Sequence, residues 1–392
     1  MERLWITLPA LAPDYSGVCS AMFDLGGICV IHDASGCTGN YTGYDEPRWY
    51  GSSSKIFCSA IREIDAVLGR DDKLIDNVIK AGDMIQPTMY TVIGSPVPMV
   101  IGSDMKGIAY EIESRTGKPS FGFDTNGLGL YNKGISMAMT ELIKRFTKKQ
   151  EEKITRGINI LGSNAIDFSA NENAKDLVKK LEKWNFKVIG KLMMGATIEQ
   201  LENLAKAQIN LVVTESGLAA AKLLKRKFGI PYVVGMPFGD NEDVHEMLEA
   251  TLLDGEDRIL KDDAQEGEIL IVGEQVLANS IRRAILNRKP DSKVVVGTMT
   301  GLNAAIASNG DKNITSEEKM IELLDSGKYT TLVGDPLFED LFAENSDMRI
   351  VKLPHVALSS KLYWDKMPRL FSKEMEAFTN EIIGKKAFHI VA

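Results

Sequence analysis

The sequence predicts an α/β protein with three Rossmann-like domains in tandem, each built on a mostly parallel sheet. Its 392 residues are more than one hydrophobic core usually organises. Short runs rich in Val and Ile alternate along the chain with amphipathic stretches of helical period, a pattern typical of parallel strands joined by crossover helices. With 44% hydrophobic and 26% charged residues, the composition is that of a folded globular protein.

Two charge-rich stretches with little apolar content, residues 147–153 and 254–268, indicate connections between domains. They divide the chain into residues 1–150, 151–262 and 263–392, and we expect the last of these domains to end in a helix. Parallel sheets bind ligands at the carboxyl ends of their strands, so functional residues are expected in the loops that follow the strands.

The strand candidates are short apolar runs that end at a turn residue. They are residues 26–33 and 56–61 in the first domain, 157–162, 186–190, 209–214 and 231–235 in the second, and 269–273, 294–297, 330–334 and 349–353 in the third.

Charge and hydropathy exclude several classes of partner. The formal charge of -8 and the isoelectric point near 5.3 argue against nucleic-acid binding, which needs clustered Lys and Arg in excess. No stretch approaches the roughly 18 continuous apolar residues of a membrane span, and residues 1–13 lack a basic region ahead of an apolar one. We therefore expect a cytoplasmic protein. No phosphate-binding glycine motif occurs, so ATP or dinucleotide binding by this chain is not expected.

The four cysteines, Cys19, Cys29, Cys37 and Cys58, all lie near the start of the chain. A disulfide scaffold would be shorter and denser in cysteine, whereas clustered cysteines in a cytosolic chain indicate metal, cluster or redox chemistry. The alternative for each cysteine is a small buried hydrophobic residue.

Cys37 is the best ligand candidate. It lies just beyond the strand candidate 26–33, and Gly36 and Gly39 give its backbone the freedom to approach a bulky cofactor. The aromatic residues that follow could shield a cluster from water and tune its potential. The alternative is a mobile surface loop with incidental aromatic residues. These aromatic residues are Tyr41, Tyr44, Trp49 and Tyr50.

These segments resemble the nitrogenase component 1 superfamily. Residues 31–37 (IHDASGC) look like the signature in which its subunits place a cluster-ligating cysteine. Residues 63–74 (EIDAVLGRDDKL) resemble its acidic-apolar strand and Gly turn, and residues 100–104 (VIGSD) resemble its apolar-Gly-Asp turn. Residues 273–275 (GEQ) and 334–336 (GDP) match its second and third domains more loosely, so the resemblance covers essentially the whole chain.

The resemblance implies a homodimer, or a heterodimer with a related subunit, that shares an iron-sulfur cluster of the 4Fe-4S type at the subunit interface of the first domains. The implied electron donor is an ATPase similar to the nitrogenase iron protein, meeting the surface around Leu68. Because a four-iron cluster needs four ligands, two thiolates per subunit would suffice in a homodimer. These would be Cys37 with either Cys58 or Cys19, whereas Cys29, in mid-strand, is expected in the core.

The sequence departs from the family pattern at other ligand positions. The position of a third cysteine falls on Pro96 beside Ser95. Ser120 resembles a position where some members place an auxiliary oxygen ligand, and the alternative is an ordinary turn serine. Thr214 stands where nitrogenase's catalytic subunit holds its large metallocofactor with a cysteine, and no cysteine follows Cys58. An iron-molybdenum-type cofactor is therefore not expected.

Two histidines have expected positions. His32 is expected to orient backbone near the loop that carries Cys37. His355 follows a strand candidate and is expected to face the cleft among the domains. There it would contact substrate or cofactor, or else make a structural hydrogen bond.

Three functions remain open at this stage. The first is a reductase subunit that passes electrons through an interfacial cluster to a substrate in the cleft. The second is a scaffold on which a metallocofactor or tetrapyrrole is assembled without turnover. The third is a cluster-free structural partner of a complete subunit. Fold membership does not choose the substrate.

Overall fold

The computed structural model describes residues 5–239, 242–263, 266–343 and 346–384. Within these ranges, three separate sheets are each paired in parallel throughout and are surrounded by helices. The predicted α/β class with parallel sheets in tandem is confirmed.

The first sheet has four strands in the order β2-β1-β3-β4. Its strands are β1 (Ile28–Ile31), β2 (Lys55–Cys58), β3 (Tyr90–Ile93) and β4 (Ser120–Phe123). The helices around it are α1 (Asp14–Met22), α2 (Gly36–Asn40), α3 (Glu63–Leu68), α4 (Asp71–Ile85), α5 (Pro96–Ile101), α6 (Met105–Thr116) and α7 (Tyr131–Phe146). A π-helical turn, Tyr41–Asp45, continues α2. The strand expected at the start of residues 63–74 is wrong, because residues 63–68 form helix α3, whose first turn is capped by a hydrogen bond from the Arg62 N–H to the Asp65 carboxylate.

The second sheet has five strands in the order β6-β5-β7-β8-β9. Its strands are β5 (Gly157–Ser163), β6 (Lys187–Met193), β7 (Ile209–Val212), β8 (Tyr232–Val234) and β9 (Arg258–Ile259). Its helices are α8 (Ala165–Phe168), α9 (Asn173–Lys183), α10 (Ile198–Asn203), α11 (Leu218–Phe228) and α12 (Asp243–Asp254). Strand β9 lies inside the charged stretch 254–268, where we had expected only a connection.

The third sheet has the order β12-β11-β10-β13-β14. Its strands are β10 (Glu268–Val272), β11 (Val294–Thr298), β12 (Lys312–Asn313), β13 (Tyr329–Gly334) and β14 (Arg349–Lys352). Its helices are α13 (Gln275–Arg288), α14 (Glu317–Leu324), α15 (Val356–Ser359) and the C-terminal α16 (Glu374–Ile382).

Each sheet reverses its winding at one point, and a crevice opens there between two neighbouring strands. The reversal falls between β1 and β3 in the first sheet, between β5 and β7 in the second, and between β10 and β13 in the third. Sheets of this kind bind ligands at the carboxyl ends of such strand pairs. The topology therefore directs attention to three loop pairs.

Helices α1 and α7 pack with their backbones in contact. A Cβ atom on Gly17 would lie 2.0 Å from the carbonyl oxygen of Tyr131, and one on Gly134 would lie 1.9 Å from that of Asp14. Only glycine fits at both positions, because any side chain would force the helices apart. This packing fixes the position of Tyr15 relative to Tyr131.

The segment before α1 is held against the third sheet. The carboxylate of Glu317 accepts hydrogen bonds from the backbone N–H groups of Ile6, Thr7 and Leu8, at 2.8 to 3.1 Å. The Ala12 N–H donates to the carbonyl oxygen of Ala357 at 2.8 Å. The beginning of the described chain therefore ties the first and third sheets together.

Among the helices that the structure describes, none combines the length and the apolar character needed to cross a bilayer.

Candidate cysteine site and interdomain cleft

The carboxyl ends of β1, β2 and β3 meet at one edge of the first sheet. In the sheet register, Ile31 pairs with Cys58 on one side and with Ile93 on the other. The residues that follow these strands, including Cys37 after β1 and Ser95 after β3, are therefore neighbours at the reversal point of the sheet. The fold brings Cys37, Cys58 and Ser95 to one edge, and their role as cluster ligands stays a prediction.

Asp33 connects the residues of this edge. Its Oδ2 accepts a hydrogen bond from the Cys37 N–H at 2.8 Å, and its backbone oxygen accepts from the Cys58 thiol at 3.3 Å. Its Oδ1 accepts from the Ser95 hydroxyl at 3.4 Å, and its N–H donates to the Ser59 hydroxyl at 3.0 Å. Asp33 is only 3% exposed, so these bonds form away from bulk water.

The Cys37 thiol is half-buried and lies among polar groups. Burial raises the pKa of the thiol, and the neighbouring Asp33 carboxylate raises that pKa further. The Tyr15 and Ser95 hydroxyls are within hydrogen-bonding reach of the sulfur and act in the opposite direction. The sulfur is therefore protonated at neutral pH, and a metal ion that bound to it would displace this proton.

Cys58 is the second thiol of the edge. Besides its bond to Asp33, its sulfur accepts a hydrogen bond from the Ala60 N–H at 3.2 Å. The side chain is partly exposed, so it can meet a group bound at the surface. Both cysteines of the edge thus contact Asp33.

Cys19 does not join this edge. Its side chain lies on α1 and is 0% exposed. Burial raises the pKa of its thiol well above the usual value, and the neighbouring Cys29 raises that pKa further. Cys29 is 2% exposed and lies in the same core cluster, as expected for it. Of the two expected partners of Cys37, the structure brings Cys58 to it and keeps Cys19 inside the core.

Ser120 also lies away from the site. It pairs with Tyr90 at the amino end of β4, whereas Cys37 and Ser95 follow the carboxyl ends of their strands. Its hydroxyl donates to the Lys118 carbonyl oxygen at 3.1 Å. These contacts support the ordinary turn role for Ser120 and not the auxiliary ligand role. A similar motif in the sequence does not determine which end of a strand a residue occupies.

The glycines beside Cys37 face open space. A Cβ atom on Gly36 or Gly39 would meet no atom within 4 Å. Close packing within the described chain therefore does not explain these glycines. The surface next to Cys37 is free to approach another body.

The aromatic loop is anchored at both ends. Tyr41 is fully buried and donates its hydroxyl to Glu46 Oε2 at 2.9 Å. The Ser360 hydroxyl donates to the carbonyl oxygen of Tyr44, and Lys361 donates to the Tyr50 hydroxyl at 3.0 Å. The alternative of a mobile loop is therefore not supported, although Tyr44 and Tyr50 keep most of their surface exposed.

Large apolar side chains are exposed next to this edge, on helices α3 and α5 and at the end of β2. We name this surface the α3–α5 patch. Monomeric proteins seldom expose so many neighbouring apolar side chains, so the patch indicates an interaction surface. Its members are Phe57, Ile64, Val67, Leu68, Val97, Met99, Val100 and Ile101, exposed by between 38% and 77%.

His355 lies in the cleft among the three sheets, as expected. Its Nε2 lies 3.0 Å from Asp167 Oδ1, which also accepts from the Tyr131 hydroxyl at 2.5 Å. Its Nδ1 accepts from the Ala357 N–H at 3.1 Å, so in the neutral ring the proton is on Nε2 and is donated to Asp167. His355, Asp167 and Tyr131 come from three different parts of the chain.

Carboxyl groups dominate the rest of the cleft. Glu274 is 4% exposed. Its pKa is raised to about 8, mainly by burial and in addition by the negative charge of Asp167. The Glu274 carboxylate accepts from the backbone N–H of Glu215 at 2.7 Å, and the Asp335 carboxylate accepts from the backbone N–H of His355 at 2.8 Å. Asp167 and Glu274 were not among the site residues predicted from the sequence. A signal for them existed, since each follows a buried strand at a reversal point of its sheet.

Thr214, which follows β7, is fully buried and donates its hydroxyl to the Gly162 carbonyl oxygen at 2.8 Å. The position that we compared with a cofactor-holding cysteine is therefore occupied by a side chain satisfied within the second sheet.

A cavity of about 30 Å³ opens at the carboxyl edge of the third sheet, with room for about two water molecules. Most of its wall is apolar, and the polar wall groups are Glu274, Thr300, Asp335 and His355. The apolar wall is formed by Leu11, Val272, Met299, Phe338 and Leu358.

No three His, Cys, Asp or Glu side chains converge as a metal site within the residues that the structure describes. The cysteine edge supplies two thiols, Cys37 and Cys58, at one surface. This donor set fits half of a four-iron cluster shared with a second subunit and does not fit a complete cluster held by one chain.

Sequence comparison gives a family match and several relatives. The family described as nitrogenase component 1 type oxidoreductase matches residues 14–253. The nitrogenase iron-molybdenum cofactor biosynthesis protein NifE of Clostridium pasteurianum is 26% identical over 242 residues, which cover 59% of this chain and 51% of that protein. The nitrogenase molybdenum-iron protein alpha chain of the same organism is 28% identical over 189 residues, covering 45% of this chain and 33% of its own.

A subunit of the light-independent protochlorophyllide reductase of Ephedra altissima is 24% identical over 199 residues, covering 47% of this chain and 39% of its own. The chain therefore spans between a third and about half of the length of these relatives. Among solved structures, "Nitrogenase Cp1 at pH 5" superposes with a TM-score of 0.69 at 18% identity, covering 97% of this chain and 89% of that one. At this identity, the superposition establishes a shared fold.

Proposed function

The chain belongs to the nitrogenase component 1 type oxidoreductases, and from this premise we propose that it is the reductase subunit of a two-component system. In this proposal an iron-sulfur cluster is shared between two subunits, and an ATPase similar to the nitrogenase iron protein supplies the electrons. The substrate is reduced in the cleft among the three sheets. The observation that carries the proposal is the pair of thiols, Cys37 and Cys58, held at one open edge of the first sheet.

Cys37 and Cys58 would hold the cluster, which when bound would pass single electrons between donor and substrate. The Tyr15 hydroxyl lies beside the Cys37 sulfur and would donate a hydrogen bond to it, whereas Ser95 donates its one proton to the His32 carbonyl oxygen. Hydrogen bonds to ligand sulfur make a cluster easier to reduce, because they stabilise the added negative charge. The anchored aromatic loop would keep water away from the same edge.

The second subunit is proposed to pack on the α5 side of the α3–α5 patch, and the electron donor on its α3 side. Half of a ligand set at an exposed edge requires a partner to complete it, and the patch supplies apolar surface beside that edge. Val100 on α5 is 77% exposed, and Leu68 at the end of α3 is 61% exposed. We assign Val100 to the subunit interface and Leu68 to the donor-docking surface that the family resemblance implies.

The cleft would bind the substrate at the edge where Glu274 and His355 line the cavity. With its pKa near 8, the Glu274 carboxyl is mostly protonated at neutral pH and is placed to give a proton to a reduced substrate. His355 is held by Asp167 and Ala357, so it would orient a bound molecule more readily than exchange protons. The cavity would have to widen to admit anything much larger than two water molecules.

A scaffold function is the second candidate, and the similarity to the cofactor biosynthesis protein NifE favours it. A scaffold would hold a metallocofactor or tetrapyrrole and release it unchanged to another protein. The named protochlorophyllide reductase and nitrogenase relatives favour turnover instead. The two functions differ in whether electrons delivered to the protein are consumed.

The deciding experiment is anaerobic purification with iron and sulfide measured per chain, for the wild type, Cys37→Ala, Cys58→Ala and Cys19→Ala. We expect about two irons per chain in the wild type and in Cys19→Ala, and loss of iron in the other two variants. Electron consumption is then measured with the donor ATPase, MgATP and candidate substrates. A folded wild type without iron would overturn the reductase proposal, and iron without electron consumption would favour the scaffold.

A further inference from the structure

We propose that Asp33 is the positioning residue of the cysteine site and that its carboxylate sets the reduction potential of the cluster held there. This inference rests on the proposed function for the identity of the bound group. The geometric part, that one residue holds both cysteines, rests on contacts within the chain and can be tested separately.

Asp33 is the connection between the two cysteines. Cys37 follows β1 and Cys58 ends β2, so nothing in the chain path alone fixes the distance between their sulfurs. Asp33 contacts both, because its carboxylate accepts from the Cys37 N–H and its backbone oxygen accepts from the Cys58 thiol. The bond to the Cys37 N–H can persist when both sulfurs bind metal as thiolates, whereas the bond from Cys58 is present only while Cys58 carries its proton. The Ser59 hydroxyl and the Asp33 N–H are joined at 3.0 Å, which ties the end of β2 to the same residue.

Asp33 also faces the crevice between β1 and β3. The Ser95 hydroxyl donates to the His32 carbonyl oxygen at 2.8 Å and reaches Asp33 Oδ1 at 3.4 Å. Ser95 is fully buried, so it cannot shift its bond to water. Asp33 is therefore joined to residues that follow β1, β2 and β3.

The charge of Asp33 has no cationic partner. Within the described ranges, Asp33 has no Lys or Arg within ion-pair distance, although it is only 3% exposed. A buried carboxylate that accepts hydrogen bonds only from neutral groups acts strongly on a neighbouring charge, because the local dielectric is low. Next to the Cys37 sulfur, it disfavours the more negative, reduced form of any bound cluster. Asp33 should therefore hold the reduction potential below the value that the ligand set alone would give.

The test uses the full chain, purified anaerobically and reconstituted with iron and sulfide, as wild type, Asp33→Asn and Asp33→Ala. Asp124→Asn is the matched control, because Asp124 follows β4 at the same edge of the sheet but its side chain is 49% exposed. The reduction potential is measured by a spectroscopically monitored redox titration. Separately, the metal-free proteins are titrated with Co²⁺, and the thiolate-to-cobalt absorption band is followed.

We expect Asp33→Asn to bind iron as the wild type does and to have a more positive potential, because it keeps an acceptor and loses the charge. Asp33→Ala should bind Co²⁺ about 10- to 100-fold more weakly, which is the usual effect of removing a residue that orients ligands. Asp124→Asn should match the wild type in both measurements.

An unchanged potential in Asp33→Asn would overturn the electrostatic role, and unchanged Co²⁺ binding in Asp33→Ala would overturn the positioning role. If no variant, including the wild type, assembles a cluster, the proposed function fails while the Co²⁺ titration still decides whether Asp33 positions the thiols. If Asp33→Ala does not fold, Asp33→Leu replaces it, because leucine has nearly the shape of aspartate but cannot accept from the Cys37 N–H, and unchanged Co²⁺ binding by Asp33→Leu would overturn the positioning role.

Discussion

Nε2 of His355 lies 3.0 Å from Oδ1 of Asp167 and so joins the loop after β14 to the loop after β5. The same carboxylate accepts the Tyr131 hydroxyl from α7, and its Oδ2 accepts from the Asn164 side chain at 2.5 Å. One buried carboxylate thus holds together elements that pack on all three sheets. The geometry of the cleft depends on it.

Replacement of Asp167 by asparagine should destabilise the protein by about 2 kcal/mol, since a charged acceptor of three hydrogen bonds is lost. The new amide N–H₂ would also face the donating amide of Asn164. Urea denaturation at pH 7 measures the change in the free energy of unfolding. Asp365→Asn is the control, because the Asp365 side chain is 73% exposed, and it should leave stability unchanged. Equal stability of Asp167→Asn and the wild type would show that the network does not hold the cleft.

The raised pKa of Glu274 predicts that stability depends on pH. Its pKa in the folded state, about 8, is raised above the ordinary value of 4.5 by burial and by Asp167. The folded state therefore holds this proton more tightly than the unfolded chain. The corresponding stability is fully present below pH 4.5 and is lost as the pH rises through about 8.

We expect Glu274→Gln to remove this pH dependence, so that the variant gains stability relative to the wild type as the pH rises from about 5 to about 8. The gain should be on the order of a few kcal/mol across that interval. Denaturation curves at several pH values measure it, with Glu339→Gln as the control, since Glu339 is a surface partner of Lys352. Parallel stability curves for Glu274→Gln and the wild type would contradict the raised pKa.

The α3–α5 patch provides a pair of variants that serve as controls for each other. Val100→Asp should weaken self-association about tenfold or more, because it places a charge in a proposed apolar interface. Leu68→Asp should leave association unchanged and slow electron transfer from the donor. Sedimentation velocity measures the first effect, and donor-dependent reduction of the cluster measures the second. A dimer that is unaffected by Val100→Asp would exclude α5 from the interface.

The contact between α1 and α7 makes Gly17→Ala a severe test of the packing. The new Cβ would lie 2.0 Å from the Tyr131 carbonyl oxygen, so the helices must separate. We expect a loss of roughly 3 kcal/mol or more, measured as a lower melting temperature. Gly39→Ala, whose Cβ would meet nothing within 4 Å, should melt close to the wild type. A Gly17→Ala variant that melts with the wild type would contradict the close approach of the two helices.

Much of the fold could be predicted from the sequence. Alternating Val-rich runs and amphipathic stretches determine parallel sheets, because a strand buried on both faces needs apolar residues throughout and a crossover helix to reach its neighbour. The position of Cys37 after a strand and beside two glycines was enough to choose it as the first ligand candidate. Cys29 lies in the middle of the apolar run of a strand candidate, and for that reason the sequence assigns it to the core.

The tertiary structure alone decided which side chains meet. Cys19 and Cys58 were equivalent candidates in the sequence, yet α1 turns Cys19 into the core while β2 ends with Cys58 at the open edge. Ser120 and Ser95 both adjoin strands, but they lie at opposite ends of neighbouring strands. Asp33, Asp167 and Glu274 acquire their roles from burial and from partners distant in sequence. Periodicity fixes which residues form a strand or helix, whereas the charge and contacts of a site depend on which loops the sheets bring together.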